Sequence, residues 1–472
     1  MGGLVRGVAE DHAAPIVNEF NEWLTEALEY TATFTPEAFP TLCQHLDPRW
    51  IDEALLTTGT ATVRHRRLPA DRAVWLILGM AVLRDWSIAA VATQLELALP
   101  ARDGSRTVAP SALIQARTRL GPDPMEVLFS RSGEEWGHRS ADRQRWRGLA
   151  LYGVDGTTMR VADSPANRAH FGSQEAGGDR GVSGYPLLRA VVLMAVRSHL
   201  LVSAAFGPYT VDERTAARSL WRSVPNESLV LVDRHYLQAD VLVPLMTSGQ
   251  DRHWLTRAKS TTTYRSIRRL GPGDELVEFT VSSAARRKDP SLPTHFDARA
   301  IRYHRKGFRP QVLLTSLVDP QRYPADEIRA LYHERWELEL GFGEIKTEML
   351  ERLETIRSRS PSAVAQELWG ILLVYNLVRL EMERIADELG VAPTRISFVA
   401  ALRQFAELWL VGSKSPSPGA LPKQLVTIQD RIRRFVLPPR RSHRSYPRAV
   451  KIKMSNYARK RPVGVSTRSC AN

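Results

Sequence analysis

Residues 149–155 read LALYGVD and residues 229–233 read LVLVD, so two short apolar runs of this 472-residue chain each end on an aspartate. Apolar runs of about four to eight residues between turn signals predict buried β-strands. Further strands and helices are predicted at 187–196, 200–206, 212–224 and 238–246. In chain order these elements are three strands, a helix, a buried strand and a helix. This order predicts an α/β sheet covered by helices.

The segment before this sheet has a helical pattern. Apolar residues recur there at intervals of three and four, as in Val74, Ile77, Leu78 and Val82. This spacing puts them on one face of an α-helix, so residues 1–145 are predicted to form a helical N-terminal domain. The basic cluster at 64–67 could contact DNA or could be a solvated face, and the sequence leaves both readings open.

The pattern changes again after the first part of the sheet, residues 146–250. Residues 251–322 contain short β-type segments separated by Pro and Gly, which predict a mostly β insertion. Helical patterns then resume, so residues 323–412 are predicted to be the helical remainder of the core. Residues 160–186 are rich in Gly, Ser, Asn and charge and are predicted to be a long loop or lid.

The positive charge is concentrated at the C-terminus. The formal net charge is +14, and residues 431–472 contain 13 Lys or Arg and no acid, which leaves 52 basic against 51 acidic residues elsewhere. A basic segment of this kind binds polyanions through phosphate contacts and counterion release. Residues 413–472 are therefore predicted to be a linker and a basic DNA-binding tail, although a merely solubilising tail would have the same composition.

Composition excludes several classes of protein. The two cysteines, Cys43 and Cys470, are too few for a zinc cage or a disulfide framework, so a reducing cytoplasm is expected. The apolar runs near 74–83 and 368–378 are shorter than the roughly 20 residues of a membrane span. The N-terminus has no pattern of a secretory signal, so no membrane partner is expected.

Asp155 and Asp233 are the first candidates for chemistry, because each follows a predicted buried strand. Carboxylates at the ends of neighbouring strands could converge on one hard cation, which prefers oxygen ligands. Taken singly, Asp155 with Gly156 also fits a turn, and Asp233 also fits a helix N-cap.

A third candidate is a stripe on a predicted helix. Tyr332, Arg335, Glu339 and Lys346 lie at offsets of 0, 3, 7 and 14, which fall on one helical face. An acid beside two cations and a phenol suits a metal carboxylate among groups that hold phosphate oxygens. The alternative is a solvated salt-bridge ladder, since Arg335 and Glu339 are also an i, i+4 pair.

The pattern Tyr-x2-Arg-x3-Glu-x6-Lys resembles the signature of insertion-sequence transposases of the insertion element 4 family. The resemblance spans about residues 34–453 and includes Val154-Asp155-Gly156-Thr157, Asn167 with Phe171-Gly172, and Asp233-Arg234 with Tyr236. It implies an RNase H-like α/β catalytic core with Asp155 on the first strand, Asp233 after the fourth, and Glu339 on a later helix. It also implies the β insertion.

The same resemblance implies a DDE mechanism. Asp155, Asp233 and Glu339 would hold two Mg²⁺ or Mn²⁺ ions about 3.5 to 4 Å apart, which activate a nucleophile and stabilise the leaving oxygen. Water would cut first, and the freed 3′-hydroxyl would then attack target DNA. The partners implied are terminal inverted repeats and target DNA, bound by a dimer in the bacterial nucleoid.

Other residues receive DNA-binding roles from the resemblance. Tyr332, Arg335 and Lys346 would position phosphates, and Arg234 would contact DNA beside the second acid. Trp254 is the candidate to stack on a flipped base, although a buried core tryptophan is the alternative. Competing functions are a simpler metal-dependent nuclease, a DNA-binding protein without catalysis, and a serine or tyrosine recombinase, which would leave a covalent protein-DNA adduct.

Overall fold

The computed structural model describes residues 46–61, 67–99, 107–173, 184–304, 310–350, 355–412 and 430–438. Several predicted features lie outside these residues: most of the basic cluster at 64–67, part of the predicted lid, both cysteines, and nearly all of the linker and basic tail.

Five strands form the core of the sheet: β1 (Ala150–Val161), β2 (Leu187–Ala195), β3 (Leu201–Pro208), β4 (Ser228–Val232) and β5 (Arg252–Arg257). They are arranged in the order β3-β2-β1-β4-β5. β2 runs antiparallel to its neighbours β1 and β3, whereas β4 and β5 run parallel to β1. Every residue of β4 is buried, as expected for an apolar parallel strand that is covered on both faces. The predicted RNase H-like α/β core is therefore present.

β1 is longer than the sequence predicted. It continues through Asp155 to Val161, because β2 pairs with it along this whole length, from Tyr152 with Ala195 to Arg160 with Leu187. The prediction that β1 ends at Asp155 was wrong, and Asp155 lies inside the strand.

The insertion extends the same sheet. Its strands are β6 (Arg265–Gly271), β7 (Asp274–Thr280), β8 (His295–Tyr303) and β9 (Gln311–Thr315). β9 pairs with β5, so core and insertion form one ten-stranded sheet, which is completed by β10 (Thr355–Ile356) beside β1. The predicted boundary at residue 251 is therefore too early, since β5 pairs with β4 and belongs to the core.

The described part of the N-terminal region is helical, as predicted. Its helices are α1 (Pro48–Thr57), α2 (Ala70–Val82), α3 (Ile88–Gln94), α4 (Pro110–Leu120), α5 (Asp123–Ser132) and α6 (His138–Arg143). The later helices are α7 (Pro165–Phe171), α8 (Glu213–Leu220), α9 (Ala239–Thr247), α10 (Ser283–Lys288), α11 (Ala325–Tyr332), α12 (Trp336–Gly343), α13 (Pro361–Leu389) and α14 (Phe398–Gly412). α7 lies within residues 160–186, so the predicted long loop contains a helix.

The long helix α13 packs against the N-terminal helices. Phe129 of α5 packs on Trp369 with ring centroids 5.1 Å apart, and a Cβ on Gly370 would come within 2.5 Å of Ile77. Both sets of helices share one apolar core, so the N-terminal helices are not a separately packed unit.

α13 is also the one helix of the described residues that is long and apolar enough to cross a membrane. It is 89% buried over its most apolar window and carries buried Glu367 and Arg379. Charged side chains buried against other parts of the protein are typical of a core helix.

Candidate active site

Asp155 and Asp233 lie side by side on neighbouring parallel strands. Val154 of β1 is paired in register with Val232 of β4, and each aspartate is the next residue of its chain. Paired parallel strands are about 4.8 Å apart, and residues in register face the same side. The two carboxylates therefore occupy adjacent positions at the carboxyl end of β4, as the sequence predicted.

α12 brings the third acid to the same face. Gly153 and Asp155 share one face of β1, because side chains alternate along a strand. A Cβ on Gly153 would lie 2.7 Å from the Leu338 side chain, so only glycine allows α12 to approach this closely. Glu339 follows Leu338 directly, and its side chain is 39% exposed.

Arg335 connects the acids of the strand and the helix. Its guanidinium lies 3.5 Å from Asp155 Oδ2 and donates a 2.9 Å hydrogen bond to Glu339 Oε1. Burial alone would lower the pKa of Arg335, but Tyr332 and the carboxylates of Asp155 and Asp233 raise it. The guanidinium therefore lies beside Asp155, Asp233 and Glu339 as the shared counter-ion of these carboxylates.

The Asp155 carboxyl has an unusual environment. Burial raises its pKa to about 6, and the negative charges of Asp233 and Glu213 add to this rise. The Gly156 N–H, which donates a 2.9 Å hydrogen bond to Asp155 Oδ1, and the Arg335 cation oppose the rise. Perturbed acids of this kind cluster at functional sites.

The donor set fits a hard divalent cation. Asp155, Asp233 and Glu339 offer only carboxylate oxygens, which Mg²⁺ and Mn²⁺ prefer. Within the described residues, no three acids, histidines or cysteines are close enough to hold an ion as they stand. Arg335 occupies the position between Asp155 and Glu339, so cation binding requires its guanidinium and the Glu339 side chain to move.

The sequence predicted one regular helix for the stripe of Tyr332, Arg335, Glu339 and Lys346. The structure divides this stripe among several helical elements instead. Tyr332 ends α11, a 3₁₀ turn contains Arg335, α12 carries Glu339, and a π-helical turn at Glu344–Met349 carries Lys346. Tyr332 is buried, and burial raises the pKa of its hydroxyl. Lys346 is half-buried.

The two remaining predicted DNA contacts differ in their surroundings. Arg234 is exposed in the 3₁₀ turn directly after Asp233, where it is accessible to DNA. Trp254 is fully buried in β5, and its indole N–H points to the sulfur of Met246 at 3.2 Å. A base could not stack on Trp254 without opening the core, so its assignment to the insertion and to base stacking was wrong.

Sequence reasoning missed Glu213, at the start of α8. Its carboxylate accepts a 2.7 Å hydrogen bond from the Tyr236 hydroxyl and lies 3.4 Å from Arg189. A Cβ on Gly156 would come within 2.3 Å of Glu213 Oε1. The sequence contained one indirect signal, because Gly156 and Tyr236 both belong to the quoted motifs without having a role there.

A buried polar network holds the helical side of the site from behind. His199 Nε2 lies 2.8 Å from Glu337 Oε2, and the Tyr375 hydroxyl donates a 2.8 Å hydrogen bond to Glu344. Arg379 of α13 pairs with Glu344 and also contacts His199. Burial would raise the pKa of Glu344, but the Arg379 cation and His199 together outweigh it and lower the pKa to about 2. These contacts anchor the segment that carries Glu339 and Lys346.

Two family models match parts of this chain. Residues 36–130 match the insertion element 4 transposase N-terminal family, and residues 146–377 match the transposase DDE domain. The chain is 38% identical over 412 residues to Transposase InsG for insertion sequence element IS4 of Escherichia coli, covering 87% of this chain and 91% of that protein. It is 32% identical over 244 residues to Putative transposase InsZ of the same organism, covering 52% and 78%.

A solved structure of piggyBac transposase in a synaptic complex with hairpin DNA covers 85% of this chain and 86% of its own, at a TM-score of 0.38 and 10% identity. This likeness is too weak to carry an argument. The match to InsG, by contrast, confirms the resemblance drawn from the motifs. Members of the family transpose insertion sequences by cutting and joining DNA, and they generally depend on divalent metal ions. The chain therefore belongs to the insertion element 4 family of DDE transposases.

Proposed function

We propose that this transposase binds the terminal inverted repeats of its element, hydrolyses a phosphodiester bond at each end, and joins the freed 3′-hydroxyls to target DNA. The observation that carries the proposal is the register of β1 and β4, which makes Asp155 and Asp233 neighbours, with Arg335 linking Asp155 to Glu339. Carboxylates on a rigid sheet edge can hold cations at a fixed separation, which phosphoryl transfer requires.

We assign the metal-binding role to Asp155, Asp233 and Glu339. Two bound Mg²⁺ or Mn²⁺ ions would supply activation of the attacking oxygen and stabilisation of the leaving oxygen. The raised pKa of Asp155 means that this carboxyl must lose its proton before it can act as a ligand, so cation binding weakens as the pH falls below about 6.

In this proposal the neighbouring cationic side chains bind the DNA phosphates. Arg335 presents a planar fork that suits two phosphate oxygens, while Lys346 supplies a single charge. The Tyr332 hydroxyl borders the same group of residues and can donate a hydrogen bond to a phosphate. Arg234, exposed beside Asp233, contributes a further phosphate contact.

Two DNA ends must be held at once for paired cleavage, so we propose a dimer in the DNA complex.

The basic tail from residue 431 adds phosphate contacts that are independent of sequence. The proposed location is the bacterial nucleoid, in the cytoplasm. A salt titration of binding to the inverted repeat should give a steeper slope for the full chain than for a variant with neutral tail residues.

The test is cleavage of labelled DNA that carries the element's own ends, with Mg²⁺ present. Wild-type protein should leave a 3′-hydroxyl and then join it to target DNA, whereas Asp155→Asn and Asp233→Asn should bind the ends without cutting. Asp297→Asn is the matched control, because Asp297 is an exposed aspartate on β8 of the same sheet. Cutting by either active-site variant would refute the metal assignment, and cutting without joining would indicate a nuclease instead.

A further inference from the structure

Asp233 lies just beyond the end of β4, so the ladder of sheet hydrogen bonds does not fix its position. The 3₁₀ turn that follows holds it instead. The backbone N–H of Tyr236 donates a 3.0 Å hydrogen bond to the carbonyl of Asp233. The Tyr236 side chain is fully buried, which gives this turn a rigid anchor.

The side chain of Tyr236 is connected to the strand of Asp155 through Glu213 of α8. Its hydroxyl donates a 2.7 Å hydrogen bond to Glu213 Oε1. That carboxylate lies against the backbone of Gly156, at a point where any Cβ would be only 2.3 Å from Glu213 Oε1. Gly156 directly follows Asp155, and its N–H is the donor to Asp155 Oδ1. A continuous chain of contacts therefore runs from Asp233 through Tyr236, Glu213 and Gly156 to Asp155.

We propose that Tyr236 and Glu213 are positioning residues that fix the separation of Asp155 and Asp233 for cation binding. The inference rests on the proposed function, since it assigns these two residues to the same metal site. The arrangement has a reason in electrostatics. Asp155 and Asp233 repel each other, and a loop residue beyond a strand end would otherwise move outward. The buried Tyr236 side chain opposes that movement.

Glu213 could instead act as a further metal ligand, and the two roles differ in what they require. A positioning residue needs only an acceptor for the Tyr236 hydroxyl, which the amide oxygen of glutamine also provides. A carboxylate ligand also contributes a negative charge to the metal site, which glutamine lacks, so the substitution would weaken binding if Glu213 were a ligand. Loss of a hydrogen-bonding partner behind a metal ligand typically weakens metal binding by about 10- to 100-fold.

The experiment measures Mn²⁺ affinity by the electron paramagnetic resonance signal of free Mn²⁺, together with melting temperature and binding to the element's ends. Tyr236→Phe and Glu213→Ala should weaken Mn²⁺ binding by at least about tenfold, while Glu213→Gln should stay within about threefold of wild type. Tyr152→Phe is the matched control. It removes the hydroxyl of another buried tyrosine, which bonds His138 and lies on the opposite face of β1 from Asp155.

Two results would overturn the positioning role. One is that Tyr236→Phe binds Mn²⁺ as tightly as Tyr152→Phe does. The other is that Glu213→Gln fails as completely as Glu213→Ala, as expected for a metal ligand. Failure of the proposed function would look different, because Asp155→Asn and Asp233→Asn would then bind Mn²⁺ as wild type does. That result would remove the metal site and the positioning role together.

Discussion

Replacing Asp155 with asparagine should stabilise the metal-free protein while it abolishes cleavage. Burial raises the pKa of Asp155 to about 6, from an ordinary value of 3.8. A carboxyl whose pKa is higher in the folded state than in the unfolded state destabilises the fold wherever it is ionised. A rise of about 2 pKa units corresponds to about 1.4 kcal/mol for each unit. The substitution should therefore raise the free energy of unfolding by at most about 3 kcal/mol. Asparagine removes the charge and keeps an acceptor for the Gly156 N–H.

The assay is thermal unfolding in EDTA across pH 4 to 8, followed by scanning fluorimetry. The Asp155→Asn variant should melt several degrees above wild type at pH 8, and the gap should shrink as the pH falls through about 6, because wild-type Asp155 then becomes protonated. Near pH 4 the gap should close. Asp297→Asn, which changes an exposed acid, should show no such pattern. An Asp155→Asn variant that melts at or below the wild-type temperature at pH 8 would refute the reasoning.

Four further substitutions test other parts of the protein. Glu339→Gln should retain binding to the element's ends in a gel-shift assay but lose cleavage, and persistent cleavage would remove Glu339 from the metal site. Arg379→Met removes the cation beside Glu344 and should lower the free energy of unfolding in denaturant by about 3 to 5 kcal/mol. A decrease under about 1 kcal/mol would contradict the stabilising role of this buried network. Because the pKa of Glu344 is about 2, the Arg379–Glu344 pair should stop stabilising the fold as the pH falls from 4.5 toward 2 in an acid titration. In the Glu344→Gln variant the free energy of unfolding should change less over this pH range. Trp254→Phe should lower stability without changing the ratio of cleavage products, since the indole is buried, and an altered ratio would indicate contact with DNA.

The sequence predicted the central strands and α13 well, because their signals are strong and local. The run at 229–232 is apolar without interruption, and β4 spans Ser228–Val232. The helix α13, Pro361–Leu389, lies inside the predicted helical segment 323–412. Proline at its first position and Gly390 in the left-handed region after its end mark both boundaries. The three acids were proposed from the sequence, and their role as a metal-binding triad stays a prediction.

The errors arose where a distant partner decides the local structure. Asp155 with Gly156 fits a turn by itself, but pairing with β2 keeps this segment extended to Val161. Trp254 was assigned to the insertion because the segments around it resemble its short strands, yet β5 pairs with β4 and buries the indole. The role of Glu213 depends on contact with Gly156 across 57 positions of chain, and no local pattern encodes that contact.

The same rigidity accounts for both the raised pKa of Asp155 and the site's suitability for cations. Pairing of Asp155 itself with β2, and of β1 with β4 up to Val154, prevents Asp155 from moving away from Asp233. Repulsion that cannot be relieved by movement is relieved by uptake of a proton or by a cation, so protons and metal ions compete for this carboxyl. In the metal-free protein Arg335 supplies part of the missing positive charge, and it faces both Asp155 and Glu339. Divalent cations would displace this guanidinium from the acids, and a displaced arginine at this position is free to bind the phosphates of DNA. Under the proposed function, the stability that the folded chain gives up at Asp155 is therefore a direct consequence of holding carboxylates where phosphoryl transfer would need them.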